Sequence, residues 1–454
     1  MRAVLTPAEK RRADAGARAP VATLIDRAGS AVARVALRRL GGGYGRTVNV
    51  LAGPGNNGAD GRVAADRLRE RGVVVRVFDA LDLPDVLPSA DLVIDAAFGT
   101  GFRGGWHPPS IGGTKVLAVD VPTGLDAATG EALDSTLRAD ATVTFGALSP
   151  GHVLGDGPAL VGDVTVADIG LPPGEPMIHV VEGSDVARWV PRRERAAHKW
   201  ADAVRVIAGS PGMRGAGHLC SAAALRAGSG MVAVSSPGVD ADAPIEAIDQ
   251  RLPPRDWNDA VLADLHRYHA LVVGPGLGRE EDTIQAIVRM VTESVVPTVV
   301  DGDGLFALSW NEEGNASFLA ERDVPTVLTP HDGEYGQLTG RRPGGDRIAA
   351  AHDLVEMTGA TVMLKGPTTV VATPGGRTLL VTNGSARLAT AGTGDVLAGT
   401  VGAFLAKGVE PAEAAAAAAW VHAEAAARGC DGLLAGDLLT SIPLVIAFVF
   451  EPAP

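Results

Sequence analysis

Two glycines, a threonine between them and an aspartate directly after form the densest candidate for chemistry in this sequence. The stretch reads Ala391-Gly392-Thr393-Gly394-Asp395-Val396-Leu397-Ala398-Gly399 and passes at once into an apolar, helix-compatible run. Glycine lets a backbone come close to a ligand. A helix that starts here aims its unbonded N–H groups and the positive end of its dipole back at the loop. That makes a site for an anion, most simply a phosphate. Repulsion makes a carboxylate an odd neighbour for a phosphate unless Asp395 takes a proton from a hydroxyl that attacks phosphorus. Taken alone, the stretch also suits a glycine-rich helix start capped by Asp395.

Further strand-end loops in the same half strengthen the chemical reading. They are residues 209–217, 274–278 (Gly-Pro-Gly-Leu-Gly), 300–305, 328–334 and 364–369. Lys365 is suited to offset phosphate charge, and Glu334 and Asp303 to support a Mg²⁺ ion near phosphates. Singly, Lys365 reads as a surface turn and His331 as a helix cap. Together with the anion loop they read as one site.

The first half carries a different set. Gly53-Pro54-Gly55-Asn56-Asn57-Gly58-Ala59-Asp60-Gly61 follows an apolar run and opens a helix. Residues 95–105 (Asp-Ala-Ala-Phe-Gly-Thr-Gly-Phe-Arg-Gly-Gly) and 120–124 (Asp-Val-Pro-Thr-Gly) occupy equivalent places. Together they bring the oxygens of Asn57, Asp95 and Thr123 to one end of a sheet. Neutral and singly charged oxygens suit a weakly hydrated monovalent cation or a hydrogen-bond network. No His or Cys joins them, which argues against zinc.

The elements that must position these loops follow from hydrophobic pattern. Runs at 48–52, 73–77, 92–94 and 116–119 read as buried parallel strands, with a helix at 61–71 and another within 23–40. A Pro-rich, then charged stretch between about 168 and 198 reads as a domain boundary. A second series follows, with strands at 204–208, 231–235, 270–273, 298–300, 326–328, 362–364 and 369–372, and helices at 219–227 and 411–428. The fold class is therefore α/β, in two domains of doubly wound type. The chain has 454 residues, enough for two domains, and 46% hydrophobic residues fill their cores. A net charge of −13 argues against general nucleic-acid binding. Cys220 and Cys430 form no disulfide framework. The N-terminal residues lack the apolar core of a secretory signal, and the apolar run at 438–450 is too short to span a bilayer. These features predict a soluble, cytoplasmic protein with no membrane partner.

The first-half loops resemble the epimerase domain of the bifunctional NAD(P)H-hydrate repair enzymes. The match takes in Leu24-Ile25-Asp26-Arg27-Ala28-Gly29 and the three loops in order. It implies a Rossmann-like domain over 1–190 that interconverts the R and S hydrates. Asn56, Asn57, Gly58, Ala59, Asp60, Gly99, Thr100, Gly101, Phe102, Arg103, Gly104, Gly105 and Asp120 would bind the hydrate. Asn57, Asp95 and Thr123 would hold K⁺, and Asp120 would move the proton. Ala59 stands where the family usually has glycine. The hydrate is a hemiaminal: its hydroxyl leaves once protonated, because the ring nitrogen supports the cation.

The second half resembles the ADP- or ATP-dependent NAD(P)H-hydrate dehydratases of the ribokinase-like superfamily. This likeness rests on His198-Lys199-Trp200, the Gly-Ala loop, Gly-Pro-Gly-Leu-Gly, Thr-Pro-His-x-Gly-Glu and Gly-x-Gly-Asp. It implies a ribokinase-like α/β/α domain over 195–454. Ala216, Gly276, His331 and Asp395 would contact the hydrate. Lys365, Gly366, Pro367, Thr368, Thr369 and Gly394 would contact the nucleotide, with ADP and Mg²⁺ expected and Asp395 as the base. Trp200 stands where tyrosine is common. Related proteins associate, so a homo-oligomer is expected. A vitamin-precursor or sugar kinase with an accessory domain shares the anion loop and stays open on the residues alone.

Overall fold

The run Thr47–Ala52 is buried from its second residue onward and forms the organising strand of a six-stranded sheet. The computed structural model describes residues 1–101, 104–172, 174–310 and 316–450. It divides into two units, Arg2–Ile178 and His179–Pro454.

In the first unit the strands lie in the order Val74–Asp79, Thr47–Ala52, Leu92–Ala96, Val116–Val119, Ala141–Phe145, Asp163–Ala167, every pair parallel. Thr47–Ala52 is flanked by the two strands that follow it in sequence. Its carboxyl end is thus a switch point, where open α/β sheets bind ligands. One face is covered by the helices Val21–Leu40 and Asn56–Arg69, whose apolar residues join the strand residues Val48, Val50 and Ile94 in one core. Small residues set how closely these helices pack. A Cβ on Gly29 would stand 2.5 Å from that of Val63, and one on Gly61 would stand 2.5 Å from that of Ala96.

The second unit repeats the plan on a larger scale. Its strands lie in the order Ile178–Val180, Thr378–Val381, Thr369–Ala372, Thr361–Leu364, Thr326–Leu328, Thr298–Val300, Ala270–Val273, Val204–Ile207, Val232–Ser235 and Ile248–Asp249. Pairing is parallel from Ile248–Asp249 through Thr361–Leu364 and antiparallel for the hairpin beyond. Val204–Ile207 again lies between later strands, so a second switch point opens at residues 208 and 274. The helix Thr393–Ala406 is buried over nearly its whole length. It lies on Arg214–Arg226 with backbone touching backbone, for a Cβ on Gly399 would meet the carbonyl of Cys220 at 2.0 Å. The alanine-rich run forms the buried helix Pro411–Ala427.

Several boundaries differ from the sequence expectation. The helix expected at 61–71 begins at Asn56, capped by extended Gly55. The helix expected at 219–227 begins at Arg214. Strands Ala141–Phe145, Asp163–Ala167 and Thr378–Val381 carry no clean apolar run, because threonine or aspartate interrupts the pattern. The helix Gly183–Trp189, placed by sequence with the first domain, belongs to the second unit. Its Val186 shares a core with Leu379 and Val381. Among the described residues no helix is long and apolar enough to cross a membrane.

Candidate active sites

Strand Val116–Val119 ends in Asp120, which adopts a left-handed backbone with φ +65°. A non-glycine residue pays roughly 1–2 kcal/mol for that conformation, and such strain survives only where the surroundings over-determine it. They do so here. The Asp120 amide donates to the Val143 carbonyl at 2.7 Å. Its own carbonyl lies 2.7 Å from His152 Nε2. His152 Nδ1 accepts from the Ser149 amide at 2.8 Å, so Nε2 carries the ring proton and donates to Asp120. Burial, and then the nearby Lys10 ammonium, push His152 down to about 4, which keeps it neutral. The carboxylate is fixed as well. Lys10 Nζ donates to Asp120 Oδ1 at 3.0 Å and to Thr144 Oγ1 at 2.8 Å, and the Thr144 hydroxyl donates to the same carboxylate oxygen at 2.9 Å. Burial alone would raise the Asp120 pKa, but Lys10, with smaller help from His152 and Thr144, holds it below the ordinary aspartate range.

Asp120 faces a cavity of about 1140 Å³, also lined by Asn56, Asn57, Asp60, Gly99, Thr100 and Gly101. Gly58 lies behind the wall, where a Cβ would meet the Gly53 carbonyl at 1.9 Å. Ala59 sits in the first helical turn, its amide donating to the Gly55 carbonyl at 3.0 Å, so its methyl is held in ordinary helical geometry. Gly104 and Gly105 are not among the residues lining the cavity. Phe102 and Arg103 lie outside the described residues. Asp60 is buried, and burial, followed by the Asp120 and Asp14 charges, pushes it up to about 8.

Of the three expected cation ligands, the structure joins two directly. Asp95, fully buried, accepts from the Thr123 amide at 2.8 Å and from Thr123 Oγ1 at 2.7 Å. The Thr123 hydroxyl oxygen accepts from the Phe98 amide at 3.0 Å. Asn57 approaches the same loop, its Oδ1 3.5 Å from where a Gly99 Cβ would stand, and its Nδ2 is buried without a hydrogen bond among the described residues. Asp95 has no basic partner among the described residues, and burial raises its pKa against its hydrogen bonds. One carboxylate charge amid neutral oxygens fits a monovalent cation better than a divalent one. No group of three His, Cys, Asp or Glu suited to a metal occurs among the described residues.

In the second unit the strand ends converge. Gly392 caps the helix Thr393–Ala406 with φ +86° and Asp395 lies in its first turn. Lys365 Nζ donates to Asp301 Oδ1 at 2.8 Å and stands 3.6 Å from Glu334 Oε2. Thr329 Oγ1 donates to the same Asp301 oxygen at 2.6 Å. A Cβ on Gly394 would lie 3.8 Å from both Lys365 Nζ and Asp301 Oδ2, so the ammonium stands beside this glycine of the loop. Burial pulls Lys365 down, but Asp301 and Glu334 more than offset it and hold the lysine charged. Asp395 is pushed up to about 7 by burial and by Asp301, with Lys365 opposing.

The remaining expected residues fall around this cluster. Gly276, φ +59°, packs on Ala216, whose methyl would lie 2.9 Å from a Cβ at that position. His331 caps the helix Asp332–Thr339: its Nδ1 accepts from Gly333 and Glu334 amides, and Glu334 Oε2 accepts from the His331 amide at 2.8 Å. His331 Nε2 stands 3.6 Å from Glu334 Oε1, and the side chain is 60% exposed. Arg347 bonds the Lys365 carbonyl at 2.7 Å and lies against Gly366. Pro367 packs on Gly384, Thr368 is buried, and Thr369 opens the strand Thr369–Ala372. Asp303 gives its carboxylate to the Gly278 amide and to Arg279, both at 2.9 Å, while Glu334 is engaged by His331 and Lys365.

Sequence reasoning missed Lys10, Asp14, Thr144 and His152 in the first site and Asp301 with Thr329 in the second. Asp301 had a signal, since it is an aspartate at a strand end; the others had none of local kind.

These two sites, one at each switch point, mark an α/β enzyme whose second unit has kinase-like architecture. Its coordinates overlay those of a ribokinase-like superfamily protein from Enterococcus faecalis with TM-score 0.52, at 21% identity over 61% of this chain and 98% of that one. They also overlay the ADP/ATP-dependent NAD(P)H-hydrate dehydratase from Bacillus subtilis, co-crystallized with ATP/Mg²⁺, with TM-score 0.51, at 27% identity over 59% and 97% of the two chains. A family profile described as NAD(P)H-hydrate dehydratase matches residues 204–443, and one described as YjeF-related protein N-terminus matches 21–86 and 79–151. The bifunctional NAD(P)H-hydrate repair enzyme Nnr of Mycobacterium leprae is 37% identical over 95% of this chain and 94% of its own length. The chain belongs to the family of bifunctional NAD(P)H-hydrate repair enzymes.

Proposed function

We propose that this chain restores hydrated NADH and NADPH: its first unit exchanges the R and S epimers, and its second dehydrates the S hydrate at the expense of ADP. The observation that carries the reading is a buried lysine beside the strand-end site of each unit: Lys10 bonds Asp120 itself, and Lys365, bonded to Asp301, stands by the loop that carries Asp395.

In the second unit the Gly392–Asp395 amides and Lys365 bind the terminal phosphates, with Lys365 to Thr369 and Gly394 along the nucleotide. Ala216, Gly276 and His331 hold the hydrate. Asp395 takes the proton of the ring hydroxyl as its oxygen attacks the terminal phosphorus, and AMP departs. The amides and ammonium offset the charge that develops on the phosphoryl group. The phosphate ester then leaves the ring carbon as the nitrogen lone pair forms the iminium. Loss of a proton from the adjacent carbon restores the dihydropyridine. In the first unit, Asn56 to Asp60, the 99–105 loop and Asp120 hold the hydrate. Asn57, Asp95 and Thr123 would hold K⁺, which supplies positive charge that fixes the 95–101 loop. We place the protein in the cytoplasm, as a homo-oligomer.

Purified protein mixed with both epimers of hydrated NADH, Mg²⁺, K⁺ and either ADP or ATP tests this. The expected result is full return of the reduced-nicotinamide absorbance, faster with ADP. No nucleotide-dependent return would overturn the dehydratase reading, and return of one epimer only would remove the epimerase.

A further inference from the structure

Two carboxylates of the first cavity differ in a way the mechanism so far does not use. Asp120 is bound by Lys10 and Thr144 through one oxygen. Asp60, in the first turns of the helix Asn56–Arg69, lines the same cavity, with only 7% of its surface exposed. It has no hydrogen bond or ion pair among the described residues. Its basic helix neighbour Arg62 turns away, donating to the Gly53 carbonyl at 2.8 Å. The other titratable groups on the cavity wall are Lys10, Arg11, Asp14 and Asp168. Lys10 is committed to Asp120, so Asp60 faces two like charges, Asp14 and Asp120, from inside an apolar-backed wall.

We propose that Asp60 is the acid that protonates the departing hydroxyl of the hydrate, while the Asp120 carboxylate receives the proton of the water that returns. This rests on the epimerase reading of the cavity. In the forward step the C–O bond breaks, the Asp60 proton leaves with the oxygen as water, and the ring nitrogen lone pair forms the iminium. A water molecule then adds to the opposite face and gives one proton to Asp120. The reverse epimerisation runs through the same groups with their protons exchanged. Between turnovers the proton passes from Asp120, the stronger acid, back to Asp60. Burial and the two neighbouring carboxylates push Asp60 up to about 8, so it still holds its proton at neutral pH. Lys10 keeps Asp120 ionised. A residue that only binds the hydrate needs no such contrast between two acids in one pocket.

The test measures epimer exchange in the full chain by NMR, without nucleotide, across pH 6 to 10. Wild type is expected to lose rate as pH rises through about 8. Asp60→Asn keeps the shape of the side chain but has no acidic proton. It is expected to lower kcat for exchange by about a hundredfold or more, the usual range for a general acid. KM should change no more than threefold, and what remains should lack the alkaline fall. Asp60→Glu should restore part of the rate and the fall with it. Incorporation of ¹⁸O from labelled water into the hydrate should slow in step with exchange. An unchanged circular-dichroism spectrum and an unchanged unfolding transition of the first unit in Asp60→Asn report that this unit is folded. Wild-type kcat in Asp60→Asn, or an alkaline fall that survives the substitution, overturns the proposal while leaving the epimerase reading intact. Failure of wild type to exchange the epimers faster than buffer overturns that reading itself.

Discussion

Both units place a lysine and an aspartate at the carboxyl end of a parallel sheet, yet the outcomes for the aspartate are opposite. In the first, Lys10 bonds Asp120 itself, and the carboxylate is ionised well below neutrality. In the second, Lys365 bonds Asp301 and leans towards Glu334, and Asp395 is left with two like charges and a pKa of about 7. The lysine's proximity matters less than which oxygen it holds. An acid that must stay ionised takes the ammonium directly; a base that must accept a proton near neutral pH is given it at one remove, with the charge reserved for phosphate.

The largest effect expected from breaking this division is at Asp395. Asp395→Ala should lower nucleotide-dependent recovery of the S hydrate by about 10²–10⁴-fold, the span of general-base catalysis. Epimer exchange followed by NMR should be unchanged. Loss of both activities in a folded variant would erase the distinction between the sites. Next is Lys10→Met, which leaves Asp120 buried beside nothing positive. It should slow epimer exchange, raise the pKa of Asp120 and destabilise the first unit by about 3 kcal/mol, read from denaturant unfolding. Gly399→Ala sets a methyl against the Cys220 carbonyl and should cost about 1–3 kcal/mol in the second unit alone.

The smallest effect is on pH dependence. As the proposed base, Asp395 would act only when ionised, so kcat/KM for dehydration should rise with pH and level off above about 7. Lys365 stabilises that ionised form. Lys365→Met should therefore move the rising limb to higher pH, beyond its loss of nucleotide affinity. A limb that stays in place would show that the lysine's field does not reach Asp395.

Much of this was legible in the sequence, for a local reason. A β-branched run followed by a glycine-rich turn marks the end of a parallel strand, and residues 53–61, 209–217 and 274–278 all announce themselves in that way. The anion loop and its aspartate needed no tertiary knowledge. The ammonium groups did. Lys10 meets Asp120 across 110 residues of chain, and Lys365 meets Asp301 across 64. Nothing in the helix Pro7–Ala15 distinguishes Lys10 from the charged residues around it. His152 was equally silent, since its role is to hold a backbone carbonyl rather than to react. Strands such as Ala141–Phe145 escaped because Thr142, which donates to the Val161 carbonyl, and Thr144, which donates to Asp120, interrupt the apolar pattern. Domain limits blurred for a similar reason: Gly183–Trp189 is a short helix whose allegiance is decided by the partners of Val186, not by its own composition.

Gly399 and Gly402 have one more consequence. They seat the helix Thr393–Ala406 against Cys220 and Val272 with no side chain between. Asp395 rides on the first turn of that helix and Ala216 on the first turn of its companion, Arg214–Arg226. Two rods fused along their main chains breathe as one. The gap between Asp395 and Ala216 is thereby set by main-chain packing rather than by the rotamer of any side chain between the two helices.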